Sequence, residues 1–222
     1  MIMSNIAFIA SRSVNAQKSL LALEKIHGNT PIEKADIIVA LGGDGFMLEA
    51  LHSTFHLNCP VYGMNRGTVG FLMNEYSSDD LLKRLNDAEE AVIHPLKMLA
   101  QCTNNVDVEA LAINEVSLIR AGAQAAKLQI SVDGRIRLPE LVCDGALLST
   151  PAGSTAYNYS AHGPILPIGA EILAMTAMSA FRPRRWRGAL LPKSAHVRID
   201  VLEPEKRPVT ASADSKKAYD IL

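Results

Sequence analysis

The first third of the chain alternates short apolar runs with amphipathic stretches. Ile6 to Ala10 reads as a buried strand. Ala16, Leu20, Leu23 and Ile26 or His27 then recur at helical spacing, and Gly28-Asn29 with Pro31 end that helix. Asp36 to Leu41 is a second buried strand running straight into glycines, and Leu48, Leu51 and Phe55, at spacings of three and four, predict the helix that follows. Val61 to Asn65 is a third strand. Ser77 or Ser78, with Asp79 and Asp80, is expected to cap a helix bearing Leu81, Leu82 and Leu85. Strands alternating with helices imply parallel pairing through crossovers, an α/β fold.

Near Pro95 the pattern changes. From Lys97 onward the segments are short, alternating and punctuated by Gly, Asp and Pro, as in a mainly-β domain. Residues 1–95 and 96–222 are therefore expected to form two domains. Gln129 to Leu138 predicts a hairpin around Asp133-Gly134. A three-residue loop is preferred there, because it sets Ile130 and Val132 opposite Leu138 and Ile136. One apolar stretch, roughly Ala170 to Ala180, reads as a helix interrupting the strands.

Composition narrows the class. The 222 residues suffice for a proper core, and 48% hydrophobic with 20% charged is an ordinary globular balance. A formal net charge of -1 gives no electrostatic reason to expect nucleic acid as a partner. Cys59, Cys102 and Cys143 are widely spaced and form no CxxC pair, so free thiols in a reducing cytoplasm are expected, with neither zinc cage nor disulfide framework. The run Ile6 to Ala10 is too short for a signal peptide, and no 18-residue apolar run suggests a membrane.

Four segments carry candidate chemistry. Gly42-Gly43-Asp44-Gly45 lies at the carboxyl end of a buried strand and opens a helix, where open α/β sheets bind ligands. Glycines let a backbone approach phosphate, and the helix start supplies N–H donors, so Gly42, Gly43 and Gly45 are candidate phosphate-binding residues. Asp44 would repel a phosphate, and it makes sense facing a hydroxyl that must lose a proton or a metal that screens the charge. A tight turn with an Asp cap is the structural alternative. A second glycine turn, Gly63, Asn65, Gly67 and Gly70 before Phe71-Leu72, follows the next strand and could line the same crevice; a structural loop is the reading it would carry alone. Asn114-Glu115 sits amid apolar neighbours, where both side chains need partners that a base edge and a sugar diol could provide; a solvated turn would do as well. Asp144-Gly145, then Thr150 to Tyr157, is dense in small hydroxyl residues and ends in an aromatic suited to packing on a base, though alone it could be an ordinary loop. Neither GxGxxG nor GxxxxGK[ST] occurs.

Taken together and in this order, Gly42-Gly43-Asp44-Gly45, the Gly63 to Leu72 segment, Asn114-Glu115 and Gly153-Ser154-Thr155-Ala156-Tyr157 resemble the bacterial NAD kinases over nearly the whole chain. The first element is shared with diacylglycerol kinase, sphingosine kinase and phosphofructokinase relatives, whereas Asn-Glu followed by GSTAY is much more specific. The resemblance implies an α/β N-terminal domain with a Rossmann-like parallel sheet, a β-sandwich-like C-terminal domain, and NAD bound between them. It further implies that Asp44 activates the adenosine ribose 2′-hydroxyl, with Gly45, Leu48 and Phe71 near the nucleotide. Asn114 would read adenine and Glu115 would hold ribose hydroxyls. Thr155, Ala156 and Tyr157 would contact the nucleotide, and Asp144 and Ser160 would lie towards the nicotinamide. ATP or polyphosphate as donor, a divalent cation such as Mg2+, and a homodimer or homotetramer are implied as well.

Two departures stand out. His162 occupies a position where that family usually has glycine, which touches either the backbone conformation or the titratable groups near the site. The chain also stops soon after Asp214, where the family usually continues with strands and a tail, and a true truncation should cost stability.

Other features carry less. His52 and His56 have metal-pair spacing, but no third ligand is evident, so no protein metal site is expected. Arg182, Arg184, Arg185 and Arg187 around Trp186 form the one basic cluster, read as a solvated or subunit-facing segment ahead of a phosphate contact. The competing functions are a lipid or sugar kinase sharing the GGDG element, and a non-catalytic NAD(P) sensor.

Overall fold

The computed structural model describes residues 5–67, 70–104, 106–218 and 221. It divides into two compact units, Met1–Glu90 and Ala91–Leu222.

In the first unit β1 (Ile6–Ala10), β2 (Ile37–Gly42) and β3 (Val61–Asn65) form a parallel sheet in the order β1-β2-β3. The central strand is buried along its whole length, which is why it reads as an unbroken apolar run. Its side chains alternate between faces. Ile37, Val39 and Leu41 pack with α1 (Val14–His27) and α3 (Leu81–Asn86), while Ala40 packs with α2 (Asp44–Thr54).

The helices differ in detail from the sequence expectation. In α1 the stripe ends on His27, whose ring tilts against Phe8, and Ile26 is exposed. In α2 the buried stripe is Met47, Ala50 and Thr54, one residue out of phase with Leu48, Leu51 and Phe55. Thr54 tolerates burial because its hydroxyl donates to the Ala50 carbonyl at 2.8 Å, so a purely hydrophobic count passes over it. Leu81 and Leu85 of α3 are buried but Leu82 is half exposed. The residue preceding α3 is Asp80, in the left-handed region and with no side-chain cap bond; Ser77 instead accepts the N–H of Asp79.

The second unit is built of sheets around one core. The largest sheet runs β11-β10-β9-β6-β13-β14, from β6 (Glu115–Arg120), β9 (Gly145–Ser149), β10 (Ile172–Met178), β11 (Gly188–Pro192), β13 (Val209–Ala213) and β14 (Lys216–Ala218). A three-stranded sheet follows the order β12-β7-β8, from β7 (Ala126–Val132), β8 (Arg135–Cys143) and β12 (Val197–Val201). A further pair joins β4 (Leu96–Gln101) to β5 (Asp107–Ala112). Met98, Ala110, Leu118, Leu128, Leu141, Met175 and Val209 bring all three sheets into a single apolar core, a sandwich-like arrangement.

Two expectations fail here. The stretch expected as a helix near Ala170 to Ala180 is strand β10, paired on both sides by β9 and β11. A strand buried on both faces shows no alternation, and its alanines and methionines favour helix until sheet pairing overrides them. The hairpin turn has two residues, Asp133 (φ 51°) and Gly134 (φ 74°), and sets Val132 opposite Arg135. Ile130 still meets Leu138 as expected, because β8 takes in an extra residue at a register shift between the two pairs.

The three cysteines are free. Among the described residues no helix is long and apolar enough to cross a membrane. The arginine cluster lies on an exposed segment with Arg182 over the Phe181 ring, and Trp186 packs partly against the core.

Candidate active site

In the first unit the carboxyl ends of β2 and β3 lie side by side, Gly42 opposite Asn65. Both glycine turns leave from there and are bonded to each other, the N–H of Arg66 donating to the Gly42 carbonyl at 2.6 Å. Gly43 precedes α2 and contributes no side-chain cap, so the first turn of that helix is left open to a ligand. Gly45 is exposed, Leu48 half-buried, and the Phe71 ring stands out into solvent with 66% exposure.

Asp44 is the first helical residue, and its carboxylate turns towards the second glycine turn. Oδ2 accepts the N–H of Phe71 at 2.8 Å and Oδ1 that of Leu72 at 3.1 Å. It is therefore a tie between the two turns rather than a cap of its own helix. Thr68 and Val69, within the second turn, lie outside the described residues.

In the second unit Ile113 and Asn114 form the bend from β5 into β6, and Glu115 opens β6. The turn Ala152–Thr155 and the short helix α4 (Tyr157–Ser160) come up against this bend. Their approach is backbone to backbone: a Cβ on Gly153 would lie 2.2 Å from the Asn114 carbonyl oxygen, so only glycine fits. Thr150 fastens the same contact, its hydroxyl donating to Ile113 O at 2.6 Å and its N–H to Asn114 O at 2.9 Å. Asn114 Oδ1 and Glu115 Oε2 are both buried without a hydrogen-bond partner among the described residues. Burial pushes the Glu115 carboxyl up to about 7. The Asp214 charge adds to the shift, and the backbone N–H of Tyr157 opposes it.

Asp144 lies at the other end of β6, its carbonyl accepting the Arg120 N–H and its Oδ1 the Arg120 Nε at 2.7 Å. Five strand steps, roughly 16 Å, separate that end from Glu115. Tyr157 bridges part of the interval. Its N–H serves Glu115, and its hydroxyl lies 3.1 Å from the sulfur of Met178, whose carbonyl accepts the Asp144 N–H. Thr155 and Ala156 are half-buried and Ser160 is exposed.

Two supporting residues escaped the sequence reading. Asn158 is fully buried; its Nδ2 donates to Ser154 O and Pro164 O, and its Oδ1 accepts the Thr176 hydroxyl at 2.7 Å. Asp214 receives the N–H groups of Ile113, Asn114 and Glu115. A lone polar residue between two tyrosines was the available signal for the first. Nothing local marks the second, which acts on residues a hundred positions away. His162 takes φ 63°, the conformation a glycine would adopt freely.

Among the described residues no cluster of three or more His, Cys, Asp and Glu could hold a metal.

Comparison with known proteins adds the following. The ATP-NAD kinase N-terminal domain matches residues 12–90 and the ATP-NAD kinase C-terminal domain residues 113–222. An NAD kinase of Cereibacter sphaeroides is 61% identical over 98% of this chain and 85% of the relative. The NAD kinase of Caulobacter vibrioides is 59% identical over 99% of this chain and 84% of the relative. The fold resembles yeast NADH kinase complexed with NADH, with a TM-score of 0.80 at 22% identity over 100% of this chain and 78% of the other. It also resembles an NAD kinase from Archaeoglobus fulgidus in complex with ATP, with a TM-score of 0.74 at 22% identity over 96% and 86%.

Proposed function

Because this chain belongs to the NAD kinase family, we propose that it makes NADP by passing the terminal phosphoryl group of ATP to the adenosine ribose 2′-hydroxyl of NAD. The observation that carries the mechanism is the Asp44 carboxylate, fixed by the amides of Phe71 and Leu72 beside an uncapped helix start. An ionised carboxylate has about four acceptor sites, so two amide bonds leave room for a hydroxyl.

The hydroxyl oxygen attacks the terminal phosphorus, the bond from that phosphorus to the bridging oxygen breaks, and the hydroxyl proton passes to Asp44. A carboxylate is a weak base for an alcohol, so this transfer comes late, once the new bond has begun to form. Most of the rate then comes from alignment and charge neutralisation, which suits a cradle of backbone amides. A divalent cation, as Mg2+ does elsewhere, would be held by the donor phosphates and at most the Asp44 carboxylate, and would neutralise phosphate charge.

On the second unit, the unpartnered Asn114 Oδ1 and Glu115 Oε2 suit the amino group of adenine and the ribose hydroxyls. The separation between Glu115 and Asp144, spanned partly by Tyr157, supports an extended two-headed ligand with its nicotinamide end towards Asp144 and Ser160.

The test is NADP formation from NAD, ATP and Mg2+, followed through a coupled dehydrogenase, with polyphosphate as the alternative donor. Asp44→Asn should abolish turnover while NAD binding stays within about tenfold. Near wild-type turnover in that variant would remove Asp44 from the reaction, and binding without product in the unaltered protein would mark a sensor.

A further inference from the structure

The turn joining β13 to β14 presents a carboxylate that the glycine motifs and the hydroxyl-rich loop leave unexplained. Asp214 sits there at φ 47°, its own N–H donating to the Glu115 carbonyl at 3.1 Å. Its Oδ2 accepts the N–H of Ile113 at 2.7 Å, and its Oδ1 accepts those of Asn114 and Glu115 at 3.0 and 3.2 Å. Three successive amides thus converge on one side chain at the bend where two acceptors, Asn114 Oδ1 and Glu115 Oε2, are buried and unmet. A peptide bend pinned at every N–H has little freedom left, so the directions of the Asn114 and Glu115 side chains are set before any ligand arrives.

We infer that Asp214 is a positioning residue for nucleotide recognition, aiming Asn114 and Glu115 through their backbone amides. The inference rests on the reading that these two side chains receive the nucleotide. The same carboxylate has an electrostatic effect. Among the described residues the groups facing Glu115 are Asp214 from the β13–β14 turn, Ser149 opposite it in β9, and the Tyr157 N–H, and of these Asp214 brings charge. After burial, it is the second cause that holds Glu115 protonated to higher pH. A protonated carboxyl both donates and accepts, which a pair of sugar hydroxyls can use.

Three variants of the full chain separate the roles. In Asp214→Asn the Michaelis constant for NAD should rise about tenfold with kcat within about twofold. The pH midpoint of NAD binding should move down, because the repelling charge is gone. Asp214→Glu keeps the charge but displaces it, so the Michaelis constant should rise while the midpoint stays. Asn114→Ala probes the underlying reading: an unchanged Michaelis constant there would take the nucleotide away from this corner altogether. A raised constant in Asn114→Ala beside an unmoved one in folded Asp214→Asn would overturn only the role of Asp214. Equal changes in kcat and Michaelis constant with an unmoved midpoint would overturn it as well. Should neither Asp214 variant fold, amide exchange in the unaltered protein decides. Slow exchange at Ile113, Asn114 and Glu115 already without NAD supports the inference, and fast exchange there that slows only once NAD is added defeats it.

Discussion

Gly70 lies so close to the Asp44 carboxylate that a Cβ on it would fall 2.2 Å from Oδ1. Gly70→Ala should therefore push the carboxylate aside and loosen its bonds to Phe71 and Leu72. We expect kcat to drop about a hundredfold, since a displacement of roughly 1 Å can cost that much. The melting temperature should hardly move, because the contact lies in a turn outside the apolar cores. Steady-state kinetics beside thermal unfolding check this, and an undiminished kcat would mean that the position of Asp44 is not limiting.

Glu115 gives a pH dependence of defined sign. Its folded value of about 7 lies above the ordinary 4.5, so the folded protein keeps a proton that the unfolded chain releases in between. The stability contributed by this group is full below 4.5 and is lost as pH rises to about 7. Unfolding in urea of the wild type and of Glu115→Gln should show a difference that turns against the wild type over that window and then levels off. A difference independent of pH would contradict the burial of this carboxyl.

Asn158→Ala should destabilise the second unit by about 2 kcal/mol, because it leaves the buried Ser154 carbonyl and the Thr176 hydroxyl without partners. Denaturant titration measures the loss. Since Asn158 ties the Ser154 turn to β10, the Michaelis constant for NAD should rise as well.

His162→Gly should stabilise the protein by about 0.5 kcal/mol: relief of the left-handed conformation is offset in part by the greater freedom of unfolded glycine. A stability loss would show that the imidazole makes a contact worth more than the strain.

Much of this was legible because it is local. The three parallel strands of the first unit each announce themselves as an apolar run, and Gly42 to Gly45 mark where they end. What the sequence hid depends on neighbours distant along the chain. β10 passes for a helix until β9 and β11 flank it, and the phase of α2 turns on Thr54, whose burial is tolerated only through its bond to Ala50. Asp44 could be singled out as an isolated carboxylate among glycines. Its partners are 27 and 28 residues away, and no pattern near it foretells them.

The span from Asp214 back to Asn114 also governs when this corner comes into being. β6 waits for β13 as its neighbour, and the amides at the bend wait for a carboxylate made a hundred residues later. During synthesis the glycine cradle of the first unit can close early from sequence-local strands, whereas the Asn114–Glu115 corner stays unformed until Asp214 has been added. A growing chain thus passes through a long interval with one half of its chemistry built and the other unable to grip a nucleotide.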